Sequence, residues 1–169
     1  MNKFKYKKSI ILGGSKGIGR SVTKALKKTS KKIISLSSKD LDLSNSYSVK
    51  QFLKTNNNTD ILFLNSGGPP NLKFEEITND IWIRYFKQLF LSYCEILRKL
   101  KINKGGYIFY ISSSIIKEPE ENLIISSSLR IGFSSVLKSL SKKYAKNNVS
   151  IINIAPGPFK TQRVKELIK

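Results

Sequence analysis

The feature that most constrains this chain is a glycine-rich turn between an apolar strand and a helix. The strand is Ile10–Leu12, the turn contains Gly13, Gly17 and Gly19, and apolar residues at helical spacing follow. In such a turn the backbone N–H groups point outward at the positive end of the helix dipole, and glycine lets a diphosphate approach closely. The pattern therefore predicts a nucleotide-binding turn. The alternative is a surface turn in which the glycines supply only positive φ angles.

Length and composition favour one domain in a reducing compartment. A chain of 169 residues can bury a sizeable core but is short for two ordinary domains. Cys94 is the only cysteine, and its apolar neighbours favour a small core side chain. The chain has no histidine, so the usual zinc and transition-metal ligand sets cannot be assembled. No metal site is expected.

The net charge of +20 raises the question of nucleic-acid binding. Of the 31 basic residues 26 are lysines, and the excess is spread over both ends of the chain. Nucleic-acid readers usually interleave arginine forks or stacking aromatic residues with the charge, and no such cluster occurs. The charge therefore indicates a solvated lysine-rich surface rather than a specific nucleic-acid site.

The sequence also predicts a cytoplasmic protein without a membrane partner. The basic N-terminus is followed by an apolar run of only residues 9–12, which is too short for the core of a signal peptide. No later stretch is expected to reach the length that a membrane span requires.

Strand and helix patterns alternate along the chain. Continuous apolar runs predict strands, and apolar residues at helical spacing predict helices. The second helix is expected to be capped by Ser44 or Ser46, and Gly105 and Gly106 are expected to end the third. The predicted strands are 10–12, 33–36, 61–64, 107–111 and 149–154; the predicted helices are 18–26, 47–54, 79–100 and 125–146, with a helical tail at 161–169.

This alternation predicts an α/β fold, a three-layer doubly wound parallel sheet of the Rossmann type. Right-handed crossovers bring the carboxyl ends of parallel strands to one edge of the sheet. The glycine turn, Asn65, Ser113 and the Pro156–Gly157 turn all follow predicted strands. We therefore expect them to meet at one ligand-binding edge.

Four motifs carry a resemblance to short-chain dehydrogenase/reductases, a family that binds NAD(H) or NADP(H) on a Rossmann fold. They are the glycine turn 12–19, the strand end 64–67, the serine strand 111–113 and the segment from Pro156 to Thr161. They occur in the family's order and span most of the chain. By this resemblance, the family's last helix and strand are expected to fall beyond Lys169. The resemblance thus implies a single dinucleotide-binding domain, 1–169, in which 161–169 begin an incomplete substrate lid.

The resemblance also implies the cofactor contacts. The family usually has an acid for the ribose 2′-hydroxyl at the end of the second strand, where this chain has Ser38 and Lys39. Hydroxyls and a cation suit a 2′-phosphate, so NADP(H) is favoured over NAD(H), unless Lys39 is only a surface lysine. The remaining implied contacts are Gly13, Ser15, Lys16, Gly17, Ile18 and Gly19 at the diphosphate, Asp42 and Leu43 at the adenine, Asn65 and Gly67 at the central strand, and Pro156, Gly157 and Thr161 at the nicotinamide.

The catalytic residues depart from the family's pattern. The family uses a serine, a tyrosine, a lysine four residues later and a helix asparagine. By alignment these positions hold Ser113, Ser126, Arg130 and Leu89. A serine hydroxyl is far less acidic than a phenol, and a guanidinium cannot give up a proton. Arg130 could bind ribose hydroxyls, a phosphate or a substrate carboxylate, or it could be a solvent-facing helix residue.

The chain also resembles an atypical branch of the family, similar to 3-oxoacyl reductases, that replaces the tyrosine and lysine as well; this resemblance lies in segments 67–70, 74–78, 118–119 and 122–130. Two kinds of function follow from this pattern. One, implied by this resemblance, is a carbonyl or 3-oxoacyl reductase-like oxidoreductase with a degraded catalytic tetrad. The other is an inactive dinucleotide-binding regulatory module or a gene remnant. The substrate is not indicated. The resemblance also implies a possible homo-oligomer through the helices at 79–100 and 125–146, although their apolar stripes could equally face the core.

Overall fold

The computed structural model describes residues 4–157 and contains one five-stranded parallel sheet. The order of its strands is β2-β1-β3-β4-β5. The predicted α/β class with a parallel sheet is therefore confirmed. The strands are β1 (Tyr6–Leu12), β2 (Ser30–Leu36), β3 (Asn58–Leu64), β4 (Lys101–Ile111) and β5 (Ser150–Ile154).

Helices cover both faces of the sheet because alternate strand residues are apolar on each face. Ile11, Phe63 and Ile111 pack with α1 on one face, whereas Ile10 and Leu62 belong to the larger core on the other. Core residues on that other face come from α2, α4 and α5. The helices are α1 (Gly17–Leu26), α2 (Ser46–Thr55), α3 (Asn79–Phe86), α4 (Ser92–Lys99) and α5 (Ile124–Ala145).

Local details differ from the sequence predictions at two turns. The cap of α2 is Asn45, whose side chain accepts hydrogen bonds from the N–H groups of Tyr47 and Ser48, so the prediction of Ser44 or Ser46 was wrong. Gly105 and Gly106 do not end a helix but lie inside β4. A Cβ on Gly106 would crowd the carbonyl oxygens of Asp60 and Asn103, which explains the glycine by close backbone approach.

The predicted helix at 79–100 is interrupted. A π-helical turn, Lys87–Leu91, joins α3 to α4. Apolar spacing survives such a turn, because one inserted residue changes the register only locally, so the sequence pattern did not reveal it. Beyond the described residues lies the predicted helical tail at 161–169.

One helical segment, Glu121–Ala145, is long and apolar enough to cross a membrane by length and composition, so the expectation that no stretch reaches that length was wrong. Phe133 and Leu137 of this segment are buried in the main core, and the segment also contains the buried Arg130. Packing against the sheet explains its apolar composition, as in the core helix of a parallel α/β fold.

Some apolar side chains of these helices remain exposed. Ile83, Phe86 and Leu91 lie on the interrupted helix, and Ile131 lies on α5. The stripes at 79–100 and 125–146 therefore serve the core on one side and reach the surface on the other. Pairing of two copies through these helices stays a prediction.

Candidate functional site

A cleft of about 730 Å³ opens at the carboxyl edge of the sheet. The strand order reverses between β1 and β3, and such switch points are where open α/β sheets bind ligands. The volume is within the usual range for small-molecule and cofactor sites. The cleft is lined by these predicted site residues: Gly13, Ser15, Lys16, Gly17, Ile18, Ser38, Asp42, Leu43, Asn65, Gly67, Ser113, Ser126 and Arg130.

Four other predicted residues do not line the cleft. Gly19 is buried, and a Cβ there would meet the carbonyl group of Gly13, so its absence of a side chain lets α1 approach the turn. Lys39 is exposed outside the wall. Pro156 and Gly157 follow β5, where the Pro156 carbonyl accepts a hydrogen bond from the Ser114 N–H (2.9 Å). Thr161 lies outside the described residues.

The glycine turn is shaped by a close approach to the end of β3. Gly13 has φ +60° and Gly17 has φ +49°, both in the region that favours glycine. A Cβ on Gly13 would lie 2.7 Å from Asn65 Nδ2 and 2.8 Å from the Asn65 carbonyl oxygen. The Asn65 amide donates to the Gly13 carbonyl (3.1 Å) and so holds the turn in place.

The first turn of α1 is left without a side-chain cap. Its N-cap residue is Lys16, which makes no capping hydrogen bond, whereas Asn45 caps α2 with two. A lysine side chain can only donate, so it cannot satisfy the free N–H groups at this helix end. These N–H groups, the helix dipole and the glycine cradle fit a diphosphate.

The turn after β2 is ordered by a serine and an aspartate. Ser37 donates to Asp40 Oδ2 through both its N–H (2.8 Å) and its hydroxyl (2.6 Å). Both hydrogen bonds lower the pKa of the Asp40 carboxyl, and the bond from the Ser37 hydroxyl has the larger effect. Ser37 and Ser38 line the cleft here, and Asp40 does not. The only carboxylate among the described lining residues is Asp42, whose Oδ1 accepts from the Ser44 N–H and hydroxyl.

Ser126 and Arg130 form a hydrogen-bonded pair on one face of α5. The Arg130 Nε donates to Ser126 Oγ (3.2 Å), and its Nη1 donates to the carbonyl oxygen of Ile111 at the end of β4 (2.9 Å). Each residue is 6% exposed. Arg130 is therefore a buried residue on the cleft wall, which decides against the solvent-facing alternative. Its spacing of four residues from Ser126 explains the pairing.

Leu89, at the position of the family's helix asparagine, is fully buried and packs with Ile125 and Leu129. Its neighbour Gln88 lines the cleft and donates to the Gly67 carbonyl (2.7 Å). Both residues belong to the π-helical turn, a feature that often occurs at functional sites. Within the π-helical turn, the polar side chain that lines the cleft is that of Gln88, which the sequence reasoning missed.

Three buried hydroxyls near the cleft have no partner with full hydrogen-bond geometry within the described residues. They belong to Ser66, Tyr93 and Tyr110. Burial raises the pKa of the Tyr110 phenol, and the nearby Arg130 charge partly opposes the rise. Burial likewise raises the pKa of Tyr93, against opposing effects of Ser66 and Arg130. Both phenols therefore stay protonated near neutral pH and can act as donors.

Sequence reasoning missed other polar residues of the wall. Arg84 reaches the cleft from α3, and Ser66 and Ser112 follow β3 and β4. Ser66 and Ser112 stand beside predicted site residues at strand ends, which was an available signal. Arg84 carried no such signal, because helical spacing alone does not say which exposed side chain overhangs a cleft.

The family model of the short chain dehydrogenase matches residues 40–169. This match begins after the glycine turn. No curated protein matches the chain. Solved structures with the same fold include L-sorbose reductase from Gluconobacter frateurii complexed with NADPH and L-sorbose, at 18% identity and a TM-score of 0.82 over 96% of this chain and 73% of that one.

Two further structures are similar. A short chain dehydrogenase family protein from Francisella tularensis has 19% identity and a TM-score of 0.83, with 96% of this chain and 74% of that one covered. A short chain dehydrogenase from Burkholderia cenocepacia in complex with NADP has 16% identity and a TM-score of 0.79, with 96% and 78% covered. At these identities the likeness establishes the fold. Together with the match over residues 40–169, it places the chain in the short chain dehydrogenase family.

Proposed function

We propose that the chain is an NADP(H)-binding oxidoreductase that reduces a carbonyl group without a tyrosine as proton donor. The observation that carries the proposal is the continuous cleft from Ser38 past the uncapped start of α1 to Ser126 and Arg130. Family membership supports it, as do similar proteins whose structures contain NADPH or NADP.

The preference for the phosphorylated cofactor is argued from charge. Lys16 stands on the cleft wall beside the diphosphate cradle, and Ser38 lines the wall after β2. Asp40, the carboxylate nearest in sequence, is turned to Ser37 and lies off the wall. A 2′-phosphate would find the Ser38 hydroxyl on this part of the wall and the Lys16 cation at the neighbouring glycine turn, whereas a 2′-hydroxyl would find no carboxylate of that turn on the wall.

The chain's own contribution to catalysis is polarisation of the carbonyl. When bound, NADPH supplies the hydride. Ser126 Oγ accepts its hydrogen bond from Arg130, which leaves the Ser126 hydroxyl hydrogen free to donate into the cleft. A preorganised donor backed by a fixed positive charge stabilises the negative charge that develops on the carbonyl oxygen. Loss of a general acid typically costs about 10²–10⁴-fold in rate, so turnover is expected to be slow, with water supplying the proton.

The test of cofactor binding is calorimetric titration with NADPH, NADH and their oxidised forms. We expect NADPH to bind at least tenfold more tightly than NADH. Ser15→Asp puts a negative charge at the exposed start of α1 and should weaken NADPH at least tenfold. Ser46→Asp is the matched control, because it puts the same charge at the start of α2, away from the cleft. Absence of NADPH binding by the folded wild type would refute the proposal.

The alternative function is a dinucleotide-binding module without turnover, and the Ser126 and Arg130 replacements are what favour it. NADPH oxidation with a broad carbonyl panel separates the two functions. The double variant Ser126→Tyr with Arg130→Lys, which restores the family's pair, serves as the positive control for the assay. Wild type that binds NADPH but never oxidises it, while the double variant does, would establish the module.

A further inference from the structure

Arg130 is a buried charge without a counter-charge. Its two hydrogen-bond partners, the Ile111 carbonyl and the Ser126 hydroxyl, are both neutral. Among residues 4–157 the only ion pair joins Lys99 to Glu95 on α4. A guanidinium has five N–H donors and keeps its charge in proteins, and these two bonds use two of the donors. Such a group is costly to bury unless an anion compensates it.

The place of Arg130 in the fold limits which anion this can be. It is bonded to the end of β4, whereas Ser38 follows β2, and three strand spacings of about 4.8 Å separate those strands, roughly 14 Å. The diphosphate cradle after β1 lies between them. A 2′-phosphate beside Ser38 and the diphosphate are therefore both placed away from Arg130. Arg130 therefore lies at the end of the cleft where the nicotinamide half of the cofactor and the substrate would meet.

The rest of the wall adds positive charge and donors. Lys16 and Arg84 also line the cleft, against the single carboxylate of Asp42, which is engaged with Ser44. Ser66, whose buried hydroxyl has no partner with full hydrogen-bond geometry within the described residues, lines the same cleft. The described part of the cleft wall therefore suits a negatively charged ligand, and its one buried cation, Arg130, lies at the end of β4.

We infer that Arg130 receives a carboxylate of the substrate, so that the substrate is a small oxo acid whose carbonyl lies against Ser126. This inference rests on the proposed function. A carboxylate matches the planar fork of a guanidinium and brings one negative charge to balance one buried positive charge. Ribose hydroxyls are neutral and would leave Arg130 uncompensated. A phosphate ester would bring more negative charge than this one cation balances.

The experiment measures binding of oxamate, an unreactive analogue of a 2-oxo acid, and of oxamide, its neutral counterpart, by calorimetry. Wild type is titrated with and without saturating NADPH. We expect oxamate to bind at least tenfold more tightly than oxamide. Arg130→Gln should remove that preference while NADPH affinity changes less than threefold. Arg84→Gln, which removes an exposed cation from the same wall, should retain the preference for oxamate.

The outcomes separate this inference from the proposed function. Wild type that binds NADPH but does not distinguish oxamate from oxamide overturns the inference and leaves the proposed function standing. Failure of NADPH to bind, with the oxamate preference present and lost in Arg130→Gln, overturns the proposed function and leaves a carboxylate-binding site at Arg130. Inorganic phosphate that binds in place of oxamate overturns the carboxylate assignment. If Arg130→Gln does not fold, the comparison of oxamate with oxamide on wild type still decides, and Arg130→Lys should keep the preference.

Discussion

The two edges of the parallel sheet differ in how the hydrogen bonds of their polar side chains are satisfied. At the amino edge, Asp60 Oδ2 accepts from the backbone N–H groups of Lys7 (2.6 Å) and Lys8 (2.8 Å), and its Oδ1 accepts from the Asn103 amide (2.7 Å). At the carboxyl edge, Arg130 has only neutral partners. The three buried hydroxyls without a partner of full hydrogen-bond geometry among the described residues also lie on this side, on Ser66, Tyr93 and Tyr110.

The amino edge of the sheet uses its polar groups for stability, whereas the carboxyl edge keeps polar groups available for a ligand. Asp60 joins β1, β3 and β4 with its hydrogen bonds, so its charge is used to hold the sheet together. Arg130 and its neighbours keep donors unused, at a cost in stability that a bound ligand can repay. A protein that only needed to fold would gain by filling that edge with apolar side chains. The unsatisfied groups therefore agree with a binding edge.

Replacing Asp60 tests the first half of this comparison and should have the largest effect. Asp60→Ala removes three charge-assisted hydrogen bonds and is expected to lower the free energy of unfolding by about 2–4 kcal/mol. Urea denaturation of both proteins at pH 7 gives the difference. Asp80→Ala, on the exposed first turn of α3, is the control and should cost less than about 1 kcal/mol. Equal losses in the two variants would contradict the structural role of Asp60.

Replacing Arg130 tests the second half. Arg130→Met keeps an unbranched side chain in the cleft wall but removes the charge and two hydrogen bonds. Removal of the uncompensated charge offsets the lost bonds, so we expect the free energy of unfolding of the ligand-free protein to change by less than about 1 kcal/mol. Denaturation in urea without cofactor is the measurement. A loss as large as that of Asp60→Ala would mean that Arg130 is a structural residue.

The smallest expected effect is the change with pH in the contribution of Asp60 to the free energy of unfolding. Burial raises the pKa of the Asp60 carboxyl, but hydrogen bonds from Asn103, Lys8 and Lys7 outweigh it, so the pKa falls below its usual 3.8. A lowered pKa in the folded state contributes stability above the unfolded pKa, and this contribution is lost as pH falls through the folded pKa.

The stability difference between wild type and Asp60→Asn should thus be constant at neutral pH and shrink as pH falls below about 4. Unfolding of both proteins in urea across pH 3–7 measures it. A difference that grew on acidification would reverse the assigned sign of the pKa shift.

Much of the fold could be predicted from the sequence, because its signals are local. Apolar runs such as Ile61–Leu64 located every strand of the sheet, although β1, β2, β3 and β4 each extend further towards the N-terminus than predicted. Gly13 and Gly17 were recognised from their spacing between an apolar strand and a helix, and both have positive φ. The N-cap of α2, Asn45, was not predicted, because Ser44, Asn45 and Ser46 all have side chains that can cap a helix. Only the backbone geometry selects one of them.

The candidate site was predicted in outline but not in its polar detail. Residues within two positions of a strand end, such as Asn65 and Ser113, line the cleft as expected. Gln88 was missed because the π-helical turn changes which residue of that helix faces the cleft, and apolar spacing does not report the change. The catalytic and cofactor roles of the site residues stay predictions.

The amino-acid sequence alone was sufficient to predict the fold class. Its apolar runs, glycine turns and helical spacings alternate as the strands and helices of a parallel α/β sheet do. The burial of Arg130 beside two neutral hydrogen-bond partners became visible only in the folded chain. The same is true of the Tyr93 and Tyr110 hydroxyls, which are buried without a hydrogen-bond partner of full geometry within the described residues. The physical reason is that burial and hydrogen bonding depend on residues distant in sequence. Ile111, nineteen positions before Arg130, accepts its hydrogen bond only because β4 and α5 pack together.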